Sequence, residues 1–156
     1  MLFLLFRGNV NFYFLVCLEF NERIVDTYKV GNNIHAIELM VDISTHGLAG
    51  TRANVRKPSE PPIAVAHSRD VTGDVHPKNI GAANNLEGSV LVISTLIDLK
   101  ILGDLDARKD EFERITAQYV LDDGPDGRIV FDKPDSIQPS NDYTIVILFK
   151  QIQLSK

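Results

Sequence analysis

Apolar and polar residues alternate at period two along much of the chain, most clearly in HAIELMVDI, residues 35–43. There Ile37, Leu39, Val41 and Ile43 fall on one side and Glu38 and Asp42 on the other. That is the spacing of a strand with one buried face. IVDTYKV (24–30), TRANVRK (51–57) and FERITAQYVL (112–121) carry the same signal, and IAVAH (63–67) and RIVFD (128–132) read as shorter strands. SVLVISTLIDLKIL (89–102) and YTIVILFKQIQL (143–154) differ, because their middles are apolar on both faces.

The segments between these runs are built from turn residues. GNN (31–33), HGLAG (46–50), PSEPP (58–62), DDGPDG (122–127) and KPDSIQPSND (133–142) are rich in Gly, Pro, Asn and Asp, which break or redirect extended chain. GDLDARKDE (103–111) is charged, and Ala107 and Phe112 are too sparse to anchor a short helix there well. About nine short strands and no strand–helix alternation predict an all-β fold, an antiparallel β-sandwich of Ig-like or jelly-roll-like type.

The first twenty residues, MLFLLFRGNVNFYFLVCLEF, admit three readings: an export signal, a strand, or a disordered or membrane-adhering leader. Arg7, Gly8, Asn9 and Asn11 interrupt the apolar run that a signal peptide needs, and Val16 and Leu18 flank Cys17 where small residues would be expected. Val10, Phe12, Phe14, Val16, Leu18 and Phe20 share one face at period two, so the pattern favours a strand over 10–20 and leaves 1–9 as a leader. Cys17 reads as a small buried hydrophobe.

A length of 156 residues is most simply one domain, 1–156. With 44% hydrophobic and 24% charged residues the composition is that of a globular protein. The formal net charge of −5 and the absence of a Lys/Arg run argue against nonspecific nucleic-acid binding. One cysteine rules out an intrachain disulfide. No run of twenty apolar residues is present, so no transmembrane helix is expected. A cytoplasmic location is the simplest reading, with secretion as the alternative.

Candidate chemistry concentrates in HSRDVTGDVH, residues 67–76, where His67 and His76 bracket Asp70 and Asp74. Imidazoles and carboxylates are the donors of many metal sites, and His46 from the 46–50 bend is a further donor. The spacing matches no motif of fixed geometry such as H-E-x-x-H. The competing reading is a solvated turn in which the two aspartates make Asx-type hydrogen bonds. VTGDVHPKNIGAANNLEG (71–88) reads as the longest irregular segment, and long loops on compact domains are often functional. Asp122, Asp123 and Asp126 are oxygen donors that calcium could use, but Pro-Asp-Gly is equally a tight-turn sequence. His35, at a strand start, carries no functional weight.

No nucleophile elbow, P-loop or G-x-G-x-x-G is present. The expectation is therefore a non-enzymatic binding or assembly module. Its ligand-binding candidates are His46, His67, Asp70, Asp74 and His76, on loops at one end of the sandwich. No cofactor is expected, unless a divalent metal sits on His67, His76, Asp70 and Asp74; a metal-dependent enzyme or metal-binding protein is the alternative. A self-associating structural protein is the third reading. The doubly apolar strands point to a homo-oligomer, since one of their faces must be covered.

Overall fold

A computed structural model describes residues 26–156. The expected strand over 10–20, the leader over 1–9 and Cys17 lie outside the described residues. Among the described residues the chain forms ten strands in two mainly antiparallel sheets, an all-β sandwich. The strands are β1 (Asp26–Lys29), β2 (Ala36–Ser44), β3 (Leu48–Arg56), β4 (Ile63–His67), β5 (Val75–Ala82), β6 (Val90–Asp98), β7 (Thr116–Asp122), β8 (Ile129–Phe131), β9 (Ser136–Pro139) and β10 (Ile145–Ser155). Two helices interrupt them, α1 (Ala83–Leu86) and α2 (Leu105–Arg114). One sheet runs β1-β10-β6-β3-β4, with β9 also on β10; the other runs β5-β2-β7-β8.

The period-two pattern decides which faces meet. Ile37, Leu39, Val41 and Ile43 of β2 pack against Leu91, Ile93 and Ile97 of β6 and Val146, Leu148, Ile152 and Leu154 of β10 in one apolar cluster. Two hydroxyls interrupt it. Thr51 of β3 and Thr95 of β6 are register partners, both fully buried, and their oxygens lie 2.8 Å apart. Each hydroxyl thus satisfies the other, as burial in hydrocarbon requires.

The doubly apolar strands β6 and β10 are neighbours in the middle of the six-stranded sheet, joined from Ile145↔Asp98 to Gln153↔Val90. Their outward residues Val90, Val92, Leu96, Ile145 and Ile147 are half-buried, whereas Phe149 is buried. β1 departs from the antiparallel rule: it pairs with β10 in parallel, with Asp26 opposite Ile152.

Three elements differ from the sequence reading. Residues 75–82, expected as loop, form β5 on the edge of the smaller sheet, followed by the single turn of α1. Two register shifts against β2 break the alternation, and His76, Pro77, Lys78 and Asn79 are consecutively exposed. The buried positions Val75 and Ile80 therefore show no period of two. Pro77 is tolerated because an edge strand has a free side. Residues 136–139, expected as loop, form β9, an edge strand on β10. Helix α2 takes in residues 112–114, expected as the start of a strand, and is longer than Ala107 and Phe112 alone would support. Asp104 caps it through a hydrogen bond from Ala107 N at 2.8 Å. Phe112 meets Tyr143 edge-on at 5.2 Å, and the buried Glu111 ties the helix to the β2–β3 turn.

Candidate functional site

β4 closes one sheet and β5 the other, on the same side of the sandwich, and the segment 68–74 carries the chain between them. That segment is pinned along its length. Ser68 N donates to Thr51 O at 3.0 Å, and Ser68 Oγ accepts from Thr51 N at 3.0 Å. Ala49 N donates to Val71 O at 2.7 Å. Gly73 adopts φ +85°, and a Cβ there would lie 2.7 Å from the Ala49 Cβ, so glycine is required on both counts.

The two aspartates of the motif are used inside the crossover. Asp70 Oδ1 accepts from Thr72 N at 3.0 Å and from Thr72 Oγ1 at 2.6 Å. These bonds, hydroxyl first, hold the Asp70 carboxyl below its ordinary pKa, with a small contribution from the charge of His76. Asp74 Oδ1 accepts from Ile43 N at 2.8 Å. The β5–β2 register ends at Val41↔Val75, so this carboxylate takes over the ladder one step beyond the strand.

A cleft of about 380 Å³ lies between the edges, with Ala64, Val65 and Ala66 of β4 on its wall. His67, Arg69, Asp74, His76 and Lys78 also line it. All of these except Asp74 are exposed. His67 additionally borders a shallower depression of about 640 Å³ on the outer face, beside Gly50, Arg52, Ser68 and Ser94. At Gly50 a Cβ would meet nothing within 4 Å, so the missing side chain deepens that depression. The fold therefore brings His67 and His76 to one cleft, and places Asp74 there with one oxygen already occupied.

His46 lies elsewhere. It sits on the β2–β3 turn, with Nδ1 2.8 Å from Glu111 Oε2, and it lines neither cavity. Asp122 ends β7, and Asp123 and Asp126 lie on the β7–β8 turn; Asp122 Oδ1 accepts from Asp123 N at 2.8 Å and Asp126 faces Lys29 at 3.8 Å. Among the described residues no three His, Cys, Asp or Glu side chains are grouped as a metal site would need. No helix among them is long and apolar enough to cross a membrane.

Sequence reasoning missed Arg69 and Lys78. Each is an isolated cation in a chain of net negative charge, and only the strand geometry of 75–82 brings Lys78 beside His67. Comparison with known proteins adds no identity: no family model, no curated protein and no solved structure matches the chain significantly.

Proposed function

We propose that the protein is a non-enzymatic binding module that holds a small anionic ligand, one bearing a phosphate, sulfate or carboxylate group, in the β4–β5 cleft. The observation that carries this reading is the lining: His67, Arg69, His76 and Lys78 supply two permanent cations and two imidazoles against the single carboxylate of Asp74. Arg69 offers a planar fork of donors suited to two anionic oxygens, and Lys78 a point charge. The apolar wall of Ala64, Val65 and Ala66 would take the rest of the ligand. Binding rather than catalysis is favoured because Asp70 and Asp74 already serve the backbone as acceptors. A polarised base would have to be free to act. The proposed site thus leaves His46 and Asp70 of the expected ligand set outside it and adds Arg69 and Lys78.

Inorganic phosphate and acetate are suitable probes, added to labelled protein while amide shifts are followed by NMR. Saturable shifts confined to residues 64–78, lost in an Arg69→Ala/Lys78→Ala variant, are expected. Shifts absent up to millimolar probe, or unchanged in that variant, would refute the reading.

A second reading, self-association, is favoured by the half-buried row Val90, Val92, Leu96, Ile145 and Ile147 on the outer face of the central strands. Light scattering at micromolar concentration tests it, with a mass above that of one chain as the expected result.

A further inference from the structure

Lys150 occupies an inward position of β10, between Leu148 and Ile152 in the alternation, and is 3% exposed. Its ammonium contacts Asp26 Oδ2 on β1 and lies 2.8 Å from Asp135 Oδ1. It also stands 5.6 Å from the centre of the Phe131 ring. Asp135 is held from two further sides. Its Oδ2 accepts from Gln151 N at 2.6 Å, and its own N–H donates to Phe149 O at 2.7 Å. Asp26 is placed by the parallel β1–β10 register, two positions along from Lys150.

A hydrocarbon at this position would fill the core without the cost of burying a charge, so stability alone is a weak reason for a lysine here. The arrangement has instead the parts of a condensation site: an amine nitrogen in contact with one carboxyl, and a second carboxylate on the same nitrogen. We propose that Lys150 and Asp26 join covalently, through an intramolecular amide bond that Asp135 promotes.

The step balances without any co-reactant. One proton passes from the Lys150 ammonium to the Asp26 carboxylate, leaving an amine and an acid. The transfer runs within the contact itself, so no proton has to come from or go to solvent. Nζ then attacks Cγ of Asp26. Asp135 takes a proton from the nitrogen of the adduct and returns it to the departing hydroxyl. One C–N bond forms, one C–O bond breaks, one water leaves, and Asp135 ends as the carboxylate it began. The fixed contact replaces the encounter that makes such condensations slow in solution. Asp26 is 35% exposed, which gives the water an exit. The two carboxylates raise the Lys150 pKa despite its burial. The proton transfer that matters is therefore the one within the contact, and it sets a slow rate. The product would tie the first described strand to the last, across 124 positions of sequence.

Mass spectrometry of the full chain after prolonged incubation at neutral pH reads the product directly. The expected result is a mass one water below that of the unmodified chain. A tryptic digest should show the peptide 24–29 joined to a peptide in which Lys150 is uncut. Lys150→Met and Asp26→Ala should abolish the joined peptide, and Asp135→Ala, which keeps both reacting groups, should slow its appearance at least tenfold. Folded wild-type protein with an unchanged mass and a normal cut after Lys150 would overturn the proposal, and that result depends on no variant folding. Wild-type kinetics in Asp135→Ala would overturn the role given to Asp135.

Discussion

Glu111 of α2 takes the imidazole of His46 on one oxygen, at 2.8 Å, and the backbone N–H of the same residue on the other, at 2.6 Å. The second oxygen also accepts from the Thr45 hydroxyl at 2.9 Å. Glu111 is 5% exposed, whereas the His46 side chain is 79% exposed. The carboxylate is thus the buried anchor, and the histidine is the lid over it. This contact, not an apolar stripe, fastens the helix to the sandwich.

The Glu111 pKa carries the first prediction. Burial pushes it up, but the hydrogen bonds from the His46 ring, the His46 N–H and Thr45, with the charge of His46, outweigh burial and leave it lowered from 4.5. A carboxylate with a depressed folded pKa contributes stability that is fully present above its unfolded pKa and lost as pH falls through the folded value. Wild type should therefore exceed Glu111→Gln by about 1–3 kcal/mol near neutrality. The gap should narrow as pH drops below 4.5. Urea midpoints of both proteins across that range check it. A gap that stays constant with pH would contradict the account.

Asp74 leads to the second. Its carboxylate is the acceptor for Ile43 N beyond the end of the β5–β2 ladder. Asp74→Ala should cost about 1–2 kcal/mol, the expense of leaving that backbone donor without its acceptor. Hydrogen exchange should speed up at Ile43 while Leu39, inside the ladder, keeps its protection. Uniform acceleration across β2 would instead mean that Asp74 supports the whole sheet.

These contacts mark where the sequence was legible. Residues 63–67 match β4, and the strands around Ile37, Leu91, Tyr119 and Ile152 match to within a few positions; in β2 and β6 burial follows a period of two, and the others are bounded by turn residues. β5 was not legible, because its bulges and four consecutive exposed residues erase the period. α2 was underestimated because its main anchor is an acid, which carries no hydrophobic signal. Of the candidate site, the sequence singled out His67 and His76 but not Arg69 or Lys78. It offered no route to the Lys150 contact, since a parallel pairing of β1 with β10 leaves no trace in local alternation. Asp70 makes the Asx-type bond of the turn reading, to Thr72, whereas Asp74 departs from it, its carboxylate reaching Ile43 on another strand.

The third prediction concerns the β7–β8 turn, which Tyr28 of β1 holds from across the sandwich. Its hydroxyl donates to Gly127 O at 2.9 Å and accepts from Gly124 N at 2.8 Å. Burial, reinforced by the charges of Asp122, Asp123 and Asp126 and opposed by the Gly124 N–H, raises its pKa, so the phenol stays protonated and can donate. A Cβ on Gly124 would stand 2.7 Å from that hydroxyl and collide with the Lys29 carbonyl oxygen, which is backbone and cannot swing aside. Gly124→Ala should cost about 1–3 kcal/mol, and Tyr28→Phe about 1–2 kcal/mol. The two should not add. Once the alanine has pushed the turn away, the hydroxyl has already lost its partners, so the double variant should fall short of the sum by about 1 kcal/mol. Denaturant titrations of the four proteins measure the coupling. Strict additivity would show that the turn stands without the tyrosine, and would leave the close approach of Gly124 to Lys29 as the only contact that fixes it.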